Sequence, residues 1–158
     1  MVGVDYSKAS IRLAQELENN RNCCQDIRFE VADIIRDEPS KQAWWVEDGF
    51  DLVLDKGTFD AISLSEEVVD SHPGQTPTRT HTLYPSRALS MVKAGGFLLI
   101  TSCNWTQEEL IHWFTNGDAG SSQGVSVWET IEYPKFQFGG HEGQGVCTIC
   151  FRKDPILA

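Results

Sequence analysis

Phe50-Asp51-Leu52-Val53-Leu54-Asp55-Lys56-Gly57-Thr58-Phe59-Asp60-Ala61-Ile62 holds an apolar run, Leu52 to Leu54, that stops at a carboxylate, a cation and a glycine. A buried parallel strand reads this way when its carboxyl end opens onto a ligand crevice. Working outward, the same pattern recurs three times. Val2-Gly3-Val4 stops at Asp5, Ile27 to Ala32 stops at Asp33, and Phe97 to Thr101 stops at Ser102-Cys103-Asn104. In open α/β sheets ligands bind outside the strand carboxyl ends. Asp5, Asp33, Asp55 and Asn104 are therefore expected to crowd around one hollow.

Helical patterns lie between these strands. Ser7 suits a helix cap, after which Ser10, Leu13, Ala14 and Leu17 share the i, i+3, i+4, i+7 face expected to turn inward. Pro39 breaks any helix in residues 34–49, and Trp44-Trp45-Val46 reads as a short helix or turn packed on the sheet. A short helix is expected within residues 60–69. Pro85 suits a first helical turn, with Ala88, Leu89 and Val92 inward and Gly95-Gly96 as the stop. Thr106-Gln107-Glu108-Glu109 has the form of a capping box, opening a helix that should bury Leu110, Ile111 and Phe114 and end at Gly117. Val125, Val127, Glu129 and Ile131 alternate as a strand does, and Val146 to Phe151 reads as the last strand. Residues 70–82, polar and with two prolines, are expected to form a surface loop, as is the aromatic-rich stretch 133–140. Alternating strands and helices predict an α/β fold built on a parallel sheet. No repeat or long linker divides the chain, so one domain over 1–158 is expected.

Composition narrows the function. Twenty-three acidic against thirteen basic residues give a formal charge of −10, and no Lys/Arg cluster is present to grip a phosphate backbone. Nucleic acid is not expected as a partner. The acidity serves either solubility or the attraction of a basic protein. Five cysteines without framework spacing fit a reducing compartment, so the cytoplasm is expected. No apolar run approaches the roughly 18–20 residues of a membrane span, and no signal pattern opens the chain. A monomer is expected.

Each strand-end residue has a chemical reading and a structural one. Asp5 can accept hydrogen bonds from ribose hydroxyls, or can simply precede a helix cap. Asp33 can accept from an adenine amine with Ile34 against the ring, or can close a turn. Asp55 and Lys56 need partners if buried, and Gly57 lets backbone approach a ligand closely. Asp60 is read as the cap of the following turn. Asn104 either caps the next helix or faces the ligand, and Trp105 either packs or lines the site. Other patterns are discounted. Cys147 and Cys150 lie three apart on a strand and face opposite sides, and no further Cys/His pair has zinc spacing, so no metal is expected. Cys23 and Cys24 are neighbours in a loop, a G-x-S-x-G elbow is absent, and His72, His81, His112 and His141 have no evident acid or nucleophile partner.

Four segments carry a family likeness: Val-Gly-Val-Asp-Tyr-Ser at 2–7, Asp-Lys-Gly-Thr-Phe-Asp-Ala-Ile-Ser-Leu at 55–64, Thr-Ser-Cys-Asn-Trp-Thr at 101–106 and Lys-Phe-Gln-Phe-Gly-Gly at 135–140. Over nearly its whole length the chain resembles seven-strand methyltransferases that modify elongation factor 1-alpha on lysine. The resemblance implies a Rossmann-like class I methyltransferase sheet, mostly parallel, with a C-terminal antiparallel hairpin. It implies methyl transfer from S-adenosylmethionine to a lysine ε-amine of a protein, elongation factor 1-alpha being the suspected partner. In that pattern Asp5 holds the ribose, Asp33 and Ile34 the adenine, and Asp55 sits beside the methionine portion and the methyl, with Tyr6, Lys56 and Gly57 also among the cofactor-binding residues. Asp55, Asn104 and Trp105 fall at the reacting centre. Thr58, Trp105, Phe136 and Phe138 would line the lysine channel, with core packing the competing reading for the aromatic three. The family's glycine-rich loop, with its strand and helix, would precede Val2, so a truncated chain that binds the cofactor poorly is expected. Two other classes compete. One is a non-catalytic acidic interaction domain. The other is a nicotinamide oxidoreductase, disfavoured because its fingerprint glycines would be equally missing.

Overall fold

The computed structural model describes residues 1–20, 27–70, 78–116, 124–134, 136–139, 141–143 and 145–155. They fall into two compact units, Met1–Val46 and Glu47–Ala158.

In the first unit, β1 (Val2–Asp5) and β2 (Arg28–Val31) pair in parallel, Val2 opposite Arg28 and Asp5 opposite Val31. A Cβ at Gly3 would lie 2.9 Å from the Phe29 ring, so a larger residue there would force that ring to shift. Helix α1 (Lys8–Asn20) connects them. Its inward stripe is one residue away from the expected one. Ile11 is buried, Ala14 and Glu18 are half-buried, and Gln15 donates to the Phe29 carbonyl at 3.2 Å, while Leu13 and Leu17 are more than half exposed. Both stripes satisfy the 3.6-residue period, and contact with β2 decides between them. After β2, Pro39 opens a short 3₁₀ turn, Pro39–Lys41, and Trp44 is buried in the turn that follows.

In the second unit the strand order is β3-β6-β10-β7. Strand β3 (Phe50–Lys56) runs parallel to β6 (Val92–Ser102), which pairs antiparallel with β10 (Cys147–Lys153), itself antiparallel to β7 (Val125–Ile131). The expected C-terminal antiparallel hairpin is therefore present. Leu98, Ile100, Ile149 and Phe151 are fully buried, and with Phe59, Leu89, Leu110 and Phe114 they make the core.

Helix α2 (Thr58–Ser63) begins two residues earlier than expected, and Val68–Asp70 is a strand, β4, rather than the end of a helix. The expected surface loop at 70–82 is partly ordered into elements. Asp70 ends β4, Thr78–Arg79 forms β5 antiparallel to it, and Thr80–Leu83 is a 3₁₀ turn. Residues 71–77, with His72, lie outside the described residues, as do Cys23, Cys24 and Gly117. Helix α3 (Tyr84–Ser90) has its proline in the first turn and buries Ala88 and Leu89, as expected, but Gly95-Gly96 does not stop it. Strand β6 has already begun at Val92, which is buried, and the glycines form an irregularity in the β3–β6 register between Phe50 and Leu52. Gly95 takes φ 79°, and a Cβ on Gly96 would lie 2.9 Å from the Asp51 carbonyl oxygen. A bulge that leaves no room for a side chain calls for glycine as surely as a helix end does.

Helix α4 (Gln107–Ile111) opens with the expected capping box between Thr106 and Glu109 and continues as a π-helical turn, His112–Asn116. Leu110 and Phe114 are fully buried, and Ile111 is half-buried. The stretch expected as an aromatic loop contains β8 (Phe136–Phe138), antiparallel to β9 (His141–Gly143). Among the described residues no helix is long and apolar enough to cross a membrane.

Candidate functional site

Strand β3 ends at a residue that has no freedom to be elsewhere. Gly57 occupies the cap position of α2 with φ 83°, the left-handed region, and has no side chain with which to cap. Asp55 supplies the cap instead. Its Oδ1 accepts from the Thr58 amide at 2.7 Å and its Oδ2 from the Phe59 amide at 3.1 Å. The Tyr84 hydroxyl donates to the same Oδ2 at 2.8 Å. Asp55 is 4% exposed, and three donors compensate a carboxylate that would otherwise be costly to bury. Burial first, then the charge of Asp55 and the hydrogen bond to it, hold the Tyr84 phenol well above its ordinary pKa, so the donor keeps its proton.

A second buried carboxylate, Asp60, stands in the first turn of the same short helix. The sequence assigns Asp60 to a cap. In the structure it lies within the first turn of α2 and its side chain reaches the end of β6. Oδ1 accepts from the Ser102 hydroxyl at 2.5 Å and Oδ2 from the Cys103 amide at 2.8 Å. The Ser102 oxygen in turn accepts from the amides of Asn104 at 3.1 Å and Trp105 at 3.0 Å. The segment from Ser102 to Trp105 is thereby fixed amide by amide up to the Thr106 cap. Parallel pairing of Lys56 with Thr101 brings the two strand ends side by side, and the Gly57 amide donates to the Thr101 carbonyl at 3.1 Å.

Aromatic rings fill the ground beneath these ends. Phe59 stacks between Tyr84, at 5.3 Å, and Trp105, at 5.5 Å. Trp113 meets Trp105 edge-on at 5.8 Å, and His81 meets Trp113 nearly perpendicular at 5.2 Å. The Trp105 Nε1 and His81 Nδ1 atoms are buried and take no partner among the described residues. Burial, and then the charge of Arg79, pull the His81 pKa below its ordinary value. Cys147 donates from its thiol to the Trp105 carbonyl at 3.2 Å, and burial is the first cause of its raised pKa.

Of the residues expected to act here, Lys56, Thr58 and Asn104 are exposed, Gly57 and Trp105 are half-buried, and Asp55 is enclosed. Phe136 and Phe138 sit on β8, but their side chains lie outside what is described. Tyr84, His81, Trp113 and the reach of Asp60 were not legible in the sequence. Tyr84 meets its partner 29 positions away and Asp60 meets Ser102 42 positions away, with no local motif to mark either pairing.

The first unit carries its own pair of strand-end carboxylates. Asp5 Oδ1 accepts from the Ser7 amide at 2.7 Å, and its other oxygen receives no donor from the described residues. Tyr6 is 79% exposed. Asp33 Oδ1 accepts from the amides of Ile35 at 3.0 Å and Arg36 at 3.1 Å, closing the turn that presents half-buried Ile34. Asp33 Oδ2 faces the Arg36 guanidinium at 3.5 Å, so each carboxylate has a structural duty, and Asp5 keeps the less engaged oxygen among the described residues. Among the described residues no group of three or more His, Cys, Asp or Glu side chains is placed to hold a metal ion.

Comparison with known proteins gives this geometry a lineage. The chain is 40% identical over 155 residues to the protein-lysine N-methyltransferase efm4 of Schizosaccharomyces pombe, covering 98% of this chain and 58% of that protein. It is 33% identical over 153 residues to human EEF1A lysine methyltransferase 2, covering 97% of this chain and 56% of the human one. It therefore spans somewhat more than half the length of these curated relatives. Among solved structures, the N-methyltransferase NodS of Bradyrhizobium japonicum in complex with S-adenosyl-L-homocysteine superposes with a TM-score of 0.58 at 13% identity, covering 96% of this chain and 65% of that one. A TehB-like SAM-dependent methyltransferase of Corynebacterium glutamicum gives 0.60 at 17% identity, covering 97% and 67%. Those likenesses establish the class I methyltransferase fold. A family model described as a methyltransferase domain matches residues 1–140, and with that match the chain belongs to the methyltransferase-domain family.

Proposed function

We propose that the protein transfers a methyl group from S-adenosylmethionine to a lysine ε-amine of a protein substrate, elongation factor 1-alpha. The observation that carries this is the identity of 33–40% over 97–98% of the chain to relatives named as lysine methyltransferases. The work belongs to the cytoplasm, in keeping with an odd count of five cysteines and no framework spacing.

The residues present suit the cofactor. Asp5, with one oxygen free of donors, is fitted to accept from ribose hydroxyls beside exposed Tyr6, and Asp33 with Ile34 is fitted to an adenine edge and face. Around Gly57 nothing lies within 4 Å of where a Cβ would stand, so the backbone there is open to a ligand, with Lys56 and Thr58 exposed on either side. When bound, the cofactor supplies an electrophilic methyl on a sulfonium.

The chain's own part is placement. Asp55 fixes the start of α2 and so the backbone of Gly57 and Thr58, and acts through that backbone rather than through its enclosed carboxylate. The loop held by Asp60 presents Asn104 and Trp105. An attacking lysine must shed its proton, against an ordinary pKa of about 10.4. Aromatic walls attract the cation and then disfavour its charge once water is excluded. Trp105 is assigned to that wall, together with Phe136 and Phe138. Alignment of nitrogen and methyl carbon supplies most of the remaining rate.

A labelled-methyl transfer assay on purified elongation factor 1-alpha tests the proposal. Label on a lysine of the factor is expected. No label would sink it.

A further inference from the structure

We infer that Asp60 is a positioning residue for methyl transfer. Through Ser102 it sets the conformation of the Cys103–Trp105 loop and thereby the rate of the reaction, and to that extent it rests on the function proposed above. Asp60 is 9% exposed and Ser102 is 1% exposed, so neither reaches solvent in the manner of a group that contacts substrate. Yet their bonds run in one direction, toward the loop. The Ser102 hydroxyl gives its only proton to Asp60 Oδ1, which turns the oxygen's lone pairs toward the amides of Asn104 and Trp105. The other Asp60 oxygen holds the Cys103 amide. Three consecutive amides are thus satisfied by one carboxylate and one hydroxyl, in a stretch with no helix or strand to satisfy them.

The same carboxylate belongs to α2, whose first turn is fixed by Asp55. Helix α2 is therefore a short bar clamped at the end of β3 by one acid and at the end of β6 by another. The geometry of the Gly57–Thr58 corner and that of the Asn104–Trp105 loop are set by one rigid body. Stacking of Phe59 on Trp105 at 5.5 Å couples the same bar to the same loop a second time. A reaction that depends on in-line approach is sensitive to displacements of about 1 Å, which can cost on the order of a hundredfold in rate.

Asp60→Asn keeps the shape but puts a donor where an acceptor is needed. Ser102→Ala removes the hydroxyl alone, a small local change that keeps the test decisive should Asp60→Asn fail to give the native circular dichroism spectrum. Amide exchange, followed by mass spectrometry on the 158-residue chain, is expected to speed up about 10- to 100-fold across 103–105 in both variants, with Leu110 in α4 unchanged. In methyl transfer to elongation factor 1-alpha, kcat is expected to drop about a hundredfold while KM for the cofactor stays within about twofold. Exchange unaltered in Ser102→Ala, or a rise in KM with kcat intact, overturns the inference while leaving the methyl-transfer proposal standing. Absence of label with the unmutated protein overturns that proposal instead, and the exchange result then decides alone whether Asp60 holds the loop.

Discussion

The Tyr84 hydroxyl donates to Asp55 Oδ2 across 2.8 Å with both residues almost fully enclosed, which joins the start of α3 to the end of β3. Replacing Tyr84 with Phe leaves that oxygen with the Phe59 amide alone. A lost bond to a buried charged acceptor costs about 1–3 kcal/mol, so urea unfolding of Tyr84→Phe should show a free energy lower by that much, seen as a lowered midpoint at unchanged slope. A midpoint equal to the parent's would mean that the bond adds nothing to stability.

The raised pKa of Tyr84 makes the same contact visible on the alkaline side. A phenol whose folded pKa lies above its unfolded value near 10 stabilises the fold fully below that value, and the contribution is lost as pH rises through the folded pKa. Ultraviolet titration of the parent against Tyr84→Phe should therefore show the Tyr84 phenol resisting ionisation above about pH 10 until the protein unfolds. Ionisation of the Tyr84 phenol at its ordinary pH in the folded protein would contradict this.

His81 has the opposite sign. Burial and then Arg79 lower its folded pKa, so its neutral form favours the folded state above the unfolded pKa of about 6.5, and that contribution fades as pH falls through the folded value. Stability measured from pH 7 to pH 5 should decline less steeply in His81→Gln than in the parent. Parallel declines would show that the ring titrates alike in both states.

Gly57 and Gly49 both have positive φ, 83° and 92°, but their surroundings differ. Alanine at Gly57 meets no atom within 4 Å and bears only the left-handed backbone penalty of about 1–2 kcal/mol. Alanine at Gly49 would also place its Cβ 2.6 Å from the Met91 carbonyl oxygen, which is backbone and cannot swing aside. Thermal melts should rank Gly49→Ala as clearly the more destabilised of the two. The reverse order would mean that space rather than φ is limiting at Gly57.

How much of this was readable in advance follows from the range of the interactions. Strand ends at Asp5, Asp33, Asp55 and Ser102 were legible because an apolar run that meets a polar residue is a local signal, although the run in β3 is not buried as expected, Leu52 and Leu54 being more than half exposed. The Thr106 capping box was legible for the same reason, its two partners being three positions apart. Long-range choices were not. Leu13 and Leu17 obey helical spacing as well as Ile11, Ala14, Gln15 and Glu18 do, and only the position of β2 selects the second stripe. Gly95-Gly96 has the composition of a helix stop, and only the pairing of β6 with β3 makes it a bulge. Asp55 was legible as a carboxylate at the end of an apolar strand. That its oxygens are occupied by Thr58, Phe59 and Tyr84 was not, because a sequence does not say which donors a carboxylate already has.

Strand β3 hydrogen-bonds to β6 on one side, pairs with no second strand among the described residues, and turns Leu52 and Leu54 outward at 51% and 62% exposure. Such an edge is adhesive toward any extended peptide, another copy included. Mutual repulsion opposes such association, since every molecule carries a formal charge of −10. Dissolved salt shortens the reach of that repulsion to about 3 Å at 1 M and leaves the leucines as sticky as before. Concentrated brine should therefore turn a clear solution cloudy, at a protein concentration where low ionic strength keeps it transparent.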